Sequence, residues 1–215
     1  MLKAIAGLWR KPDPVADGAA LRAFLTSESA FVAQKTTVEY CRARSGLLWQ
    51  KLFAETAFRE ALDVCRWGAM AAVLADQMIV LEAFLRRHAV GQEAALAASL
   101  GALFEDILHG YGTNVLPEQR AGWDDLIADM PARLARAQLG EPHGPDEIAR
   151  VSGDRIYDLL PIHKSLRGHD REMMMNAIRF GMVGFHRKLQ EVVRDPAALA
   201  RDVIARGQPP SDPAA

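Results

Sequence analysis

Strong charge of either sign is missing from this chain. Its 215 residues carry 26 Lys and Arg against 27 Asp and Glu, for a net charge of −1. A general nucleic-acid binder needs a basic surface to neutralise phosphates, so that class of partner is not expected. Cysteine is scarce as well: Cys41 and Cys65 are the only two, and no CxxC occurs. That leaves neither a disulfide framework nor zinc-finger spacing, and both residues read as buried thiols among apolar neighbours. Nothing reads as a secretory signal, which points to a cytoplasmic location. No segment alternates with period two, so strand content should be near zero, and no repeat of fixed period is visible.

What the chain does have is apolar sequence of helical character. Half of its residues are hydrophobic, and the length is enough to bury a real core. Residues 67–85 read WGAMAAVLADQMIVLEAFL, with only Asp76, Gln77 and Glu82 strongly polar. A helix apolar nearly all round must be enclosed by protein or by lipid. Lipid is disfavoured, because Asp76 at a bilayer centre would cost roughly 2.5–3.5 kcal/mol. The expectation is an all-α protein, an irregular bundle of about seven helices around a central apolar helix over about 55–88.

The remaining helices follow from spacing and punctuation. Asp17 is placed to cap a helix over about 19–44, in which Leu21, Phe24, Leu25, Phe31, Val32 and Val38 recur at helical intervals. A short turn covers 47–53. Further helices are expected at 92–108, at 117–138 with a kink or new start at Pro131, and at 146–160 with a break at Ser152-Gly153. A strong helix follows from His169 or Asp170 to about Arg194, and Asp195-Pro196 opens a last one to Arg206. The domain reading is therefore an amphipathic segment and linker at 1–16, one helical domain at 17–206, and a disordered tail at 207–215. Within the first segment Leu2, Ile5, Leu8 and Trp9 share a helical face, with Lys3, Arg10 and Lys11 near its ends. Such a pattern could lie weakly in a membrane interface, so a membrane-surface contact through residues 1–11 is expected.

Candidate chemistry is sparse. The nearest approach to a serine-hydrolase elbow is Ala97-Ala98-Ser99-Leu100-Gly101, which lacks the first glycine and has no strand before it. Two His/carboxylate groupings, Glu105-Asp106 with His109 and His169-Asp170 with Glu172, read as surface pairs rather than a di-metal bundle. No metal site and no cofactor is expected. Asp76 and Gln77 are more informative, because a buried carboxylate needs a partner. Lys35 or Arg179 is the expected partner of Asp76, either as a register-setting pair or as the acid of a cleft. Trp67, Met70, Met174 and Phe185 are candidates to line an apolar ligand pocket. Met174, Ile178, Met182 and Phe185, with Gly181 and Gly184 allowing close approach, are candidates for an exposed interaction face. His163 and His169 are the histidines that a hydrolase site would use.

Two resemblances bear on function. The run Ala30-Phe31-Val32-Ala33-Gln34-Lys35-Thr36-Thr37-Val38-Glu39-Tyr40-Cys41, then Cys65-Arg66-Trp67 and Leu160-Pro161-Ile162-His163, resembles a family of uncharacterised all-helical bacterial proteins. Some members of that family are labelled "esterase"; the resemblance spans roughly residues 20–195 and implies no established catalytic residues. The basic-aromatic first segment, the apolar central helix, the helix through residues 180–185 and Asp195-Pro196-Ala197-Ala198-Leu199 resemble the ubiquinol–cytochrome c chaperone family. That family's glycine-valine-proline stretch is missing here. The resemblance implies a helical assembly factor. The leading expectation is a non-catalytic interaction or assembly protein with a protein partner, working at the cytoplasmic face of a membrane. Two alternatives stand beside it: a binding module for an apolar small molecule, and an esterase-like hydrolase.

Overall fold

A computed structural model describes residues 13–148 and 150–207. The amphipathic face of residues 1–11 and the tail beyond Gly207 lie outside the described residues. Among those described there is no strand, and α1 (Gly18–Ser45), α3 (Thr56–Arg86), α4 (Glu93–His109), α5 (Trp123–Ala137), α6 (Arg150–Leu159), α8 (Arg171–Val192) and α9 (Pro196–Gly207) make seven helices of ten residues or more. Two short ones, α2 (Trp49–Ala54) and α7 (Lys164–Arg167), join them. The protein is an all-α bundle around one long apolar helix.

Local chemistry sets most of the boundaries. The Asp17 carboxylate accepts from the Ala20 N–H at 2.9 Å and starts α1. Gly46, at φ 53°, ends it in a conformation that L side chains resist. The Asp195 carboxylate accepts from the Ala198 N–H and starts α9 with Pro196 in its first turn. Two expected interruptions do not occur. α5 runs on through Pro131, because Trp123, Leu126, Met130 and Leu134 form a buried stripe along one face. α6 starts later than expected and continues through Ser152-Gly153, since Gly153 lies against Met175 of α8. A Cβ there would stand 2.1 Å from the Met175 sulfur, so glycine is what lets α6 and α8 meet.

α3 is the axis of the bundle and touches α1, α4, α5, α6 and α8. Residues 68–83 are buried without interruption. This helix is long and apolar enough to cross a membrane by length and composition; here protein encloses it. Gly68 allows Leu159 of α6 to come within 2.5 Å of where a Cβ would stand. α1 and α8 lie antiparallel, with Phe24 stacked on Phe185, Val32 beside Gly181, and Tyr40 near Asp170. The chain before α1 is pinned to the far end of α8, where the Val15 N–H donates to the Val192 carbonyl at 3.0 Å.

Candidate functional site

The most conspicuous sequence candidate, Asp76, is fully buried. Its partner is neither Lys35 nor Arg179 but Arg133 of α5, whose Nη2 donates to Oδ1 at 2.5 Å. The Ser152 backbone N–H of α6 donates to Oδ2 at 3.3 Å. Burial pushes the Asp76 carboxyl above the usual range, against the opposing pull of Arg133 and Ser152. Lys35 instead sits on the outer face of α1, 5.9 Å from the Phe31 ring, and Arg179 donates to Asn176 of its own helix. The expectation erred because Lys35 lies on the exposed face of α1 and the half-buried Arg179 is taken up by Asn176 of its own helix. Arg133 falls among the buried residues Met130, Leu134 and Ala137, so it faces the core. That spacing was the available signal.

Gln77 is equally buried, and its amide atoms have no hydrogen-bond partner among the described residues. Five residues on, the buried Glu82 accepts from Arg86 Nη2 and from Gln138 Nε2, each at 3.0 Å. Arg86 donates to the Ala137 and Gly140 carbonyls, and Gln138 to that of Glu93. Together these pairs tie α3 to α4, α5 and α6. Arg133 also lines a recess of about 410 Å³ with Arg136, His143 and Glu147. Its charges are taken up locally, His143 lying 3.5 Å from Glu147 and Arg136 3.4 Å from Asp129. The buried polar centre therefore acts as an interhelical lock.

Among the described residues the parts of a hydrolase do not assemble. Ser99 is buried, with its hydroxyl 3.5 Å from the Ile204 carbonyl. His163 and Ser165 do meet, Nδ1 to Oγ at 2.8 Å, but the same Nδ1 accepts from the Ser165 N–H. This is a cap on the four-residue α7, exposed to solvent, and no carboxylate pairs with His163 among the described residues. His169 lies beside a shallow recess with Met173 and Phe180. Burial pushes the thiols of Cys41 and Cys65 up to about 12, which keeps both protonated and poorly nucleophilic. Glu105 and His109 are 3.8 Å apart on the surface, and Asp106 is held by Arg22.

Of the four residues expected to line an apolar pocket, Met174 borders the groove between α1 and α8, and the other three pack elsewhere. Trp67 packs edge-on against Tyr111 and Trp123, with ring centroids 5.0 and 6.3 Å away. Met70 is core, and Phe185 is stacked on Phe24 at 5.7 Å. The expected interaction face is corrected as well. Met174, Ile178, Met182 and Phe185 are all buried and form the inward stripe of α8. The apolar residues that α8 shows to solvent lie one stripe over, with Phe180 78% exposed, Met173 53% and Val183 43%.

That outward stripe forms one wall of a groove of about 580 Å³, and α1 forms the other. Phe31, 54% exposed, lines it from α1, while Phe180 and Met173 line it from α8. The walls meet where Val32 touches Gly181, since a Cβ on that glycine would lie 2.9 Å from the valine. Gly184 opens onto the groove with nothing within 4 Å of a Cβ position. At one end Lys188 is clasped by both Glu28 carboxylate oxygens, at 2.7 and 2.8 Å, and stands 5.1 Å from the Phe31 ring. At the other end the Tyr40 hydroxyl donates to Asp170 at 2.9 Å, and Arg44 pairs with the same carboxylate. Burial and the neighbouring Asp170 push the Tyr40 phenol up to about 12, while Arg44 holds the Asp170 carboxyl below its ordinary range. Nothing in the groove pairs a nucleophile with a base; its chemistry is that of an apolar trough with charged rims. No family model, no curated protein and no solved structure matches this chain.

Proposed function

We propose that the protein is a non-catalytic interaction or accessory protein whose recognition site is the groove between α1 and α8. One observation carries the reading: Phe31 and Phe180 are largely exposed on facing walls of a single trough. Water-facing aromatic side chains gathered in one concavity mark a contact surface rather than a core. A working position at the cytoplasmic face of a membrane is part of the proposal, supported by the basic and apolar pattern of residues 1–11. The scattering of Ser99, His163 and the buried thiols favours binding over hydrolysis.

The test replaces Phe180 by a photo-reactive phenylalanine analogue in the native cell. Irradiation should give a defined adduct, and the same analogue at Leu139, which is 87% exposed far from the groove, should not. Equal, heterogeneous labelling from both positions would remove the groove from consideration. Membrane association is read separately by fractionating a chain that lacks residues 1–11, which should shift to the soluble fraction.

A further inference from the structure

We infer that the groove is filled by the same groove of a second copy of this chain, the two copies related by a twofold axis that crosses it at the level of Phe31 and Phe180. The inference rests on the reading of the groove as the recognition site and names the partner. Its ground is the order of charges along the two walls.

The register of the walls fixes that order. Val32 of α1 touches Gly181 of α8, and the helices run antiparallel past this contact. Toward the Tyr40 end, Lys35 stands three residues from Val32 and Glu39 seven, roughly 4 and 10 Å along α1. Toward the Phe24 end, Glu28 stands four residues from Val32 and Arg187 six from Gly181, roughly 6 and 9 Å. From that end the groove is therefore positive, negative, apolar, positive and negative. A half-turn about an axis across the helices reverses the order, and the reversed pattern is opposite in sign to the original at every charged step. Glu39 then comes opposite Arg187 of the second copy, and Lys35 opposite its Glu28. The alternative axis, along the helices, would set like charges level with one another.

These charges are open to the contact. Among the described residues Glu39 has no hydrogen bond or ion pair, Lys35 has no ion pair, and Arg187 reaches Glu191 only at 3.9 Å across exposed surface. Glu28 already accepts from Lys188 of its own chain, so Lys35 of the copy extends that pair into a network. The centre matches as well. Phe31 and Phe180 each lie one residue from the Val32–Gly181 contact, so the same half-turn gathers four exposed rings at the axis. An aromatic centre within a charged rim is the ordinary anatomy of a protein interface, and an isologous one needs a patch that complements itself. Sixteen residues line the groove, against roughly 20–30 a side in a standard interface, so the dimer should have a Kd on the order of micromolar.

Sedimentation velocity of the full chain, over roughly 1–200 μM, reads the association. The native chain should pass from monomer to dimer and no further. Glu39→Arg and Arg187→Glu should each weaken the dimer about tenfold or more with circular dichroism and Tm preserved, since both side chains are exposed. Combining the two reversals in one chain should restore the dimer. Short bismaleimide crosslinking reads the register: a Phe180→Cys chain should link to its copy through position 180. Met173→Cys should not, because its twin lies roughly 20 Å away across the axis, and the native Cys41 and Cys65 are buried. A chain monomeric throughout, a double reversal that fails to restore the dimer, or linking through 173 and not 180 would overturn the inference. If the chain is monomeric yet Phe180 crosslinks one other protein in cells, the inference fails while the groove stands as the recognition site. Heterogeneous labelling from Phe180 as well would remove both.

Discussion

In the middle of α3 a carboxylate sits at zero exposure, and on α8 a phenylalanine is 78% exposed. Each side chain is where the other's chemistry would ordinarily be found, yet the two exceptions are resolved differently. Asp76 is answered from inside the fold, by the Arg133 guanidinium and the Ser152 N–H. Nothing within the described residues covers Phe180. A polar group with its partners in the fold is a locking device, since satisfying it demands that three helices keep one register. An apolar group left in water is stabilised only by something that comes from outside. The contrast separates a side chain that holds the bundle together from one that is left for a contact.

Breaking the lock should give the largest effect. Arg133→Met strands Asp76 in a medium that disfavours its charge and should cost about 3–5 kcal/mol in urea unfolding. Adding Asp76→Leu should restore much of that loss, because an apolar pair of similar volume is tolerated where a lone charge is not. A single variant no less stable than the native chain would show that Asp76 is not held by Arg133. Next in size is the pair of phenylalanines on α8. Phe185→Ala removes a ring that is 1% exposed and stacked on Phe24, and should cost about 3–5 kcal/mol. Phe180→Ala should stay within about 0.5 kcal/mol of the native chain while removing binding at the groove. Equal destabilisation by both would mean that Phe180 is core, and the comparison would collapse.

A smaller effect is expected at the foot of the groove. Arg44 and the Tyr40 hydroxyl hold the Asp170 carboxyl below its ordinary range. A carboxyl depressed in the folded state contributes stability above its unfolded pKa and loses it as pH falls through the folded value. Asp170→Asn should therefore be less stable than the native chain near neutral pH. The gap should close as acid protonates Asp170 in the native chain. A constant gap across that range would place the role of Asp170 in its geometry alone.

Much of the architecture was legible because it depends on period and punctuation. The apolar run at 67–85 demanded enclosure, and Asp17, Gly46 and Asp195-Pro196 mark helix ends by local chemistry alone. Pro131 and Ser152-Gly153 misled for a common reason: tertiary packing of the Met130–Leu134 stripe, and of Gly153 on Met175, outweighed local propensity. The site was harder. Which of two adjacent stripes on α8 faces inward depends on where α1 and α3 lie, and both stripes contain large apolar residues. Met174, Ile178, Met182 and Phe185 were the better helical pattern, and for that reason they became core. Residues 173, 177, 180 and 184 form the second stripe at equally helical intervals, but its small members Ala177 and Gly184 disguise it.

The smallest effect expected has the opposite sign and tests the contrast most finely. Glycines 68, 153 and 184 all lie inside helices, so the intrinsic gain on replacing each with alanine is similar, roughly 0.5–1 kcal/mol. Their surroundings differ. A Cβ at Gly68 would stand 2.5 Å from Leu159, and one at Gly153 would meet Met175 at 2.1 Å. At Gly184 it would meet nothing within 4 Å. Gly153→Ala should destabilise, since overpacking against the buried Met175 costs about 1–3 kcal/mol. Gly68→Ala should gain less than Gly184→Ala, because the half-buried Leu159 side chain has to turn aside. Gly184→Ala should raise stability by close to the full propensity gain. A measured gain there would show that position 184 faces open space in solution, as the groove requires. A loss would instead show that α8 packs against something at Gly184, and the trough would not be open in solution.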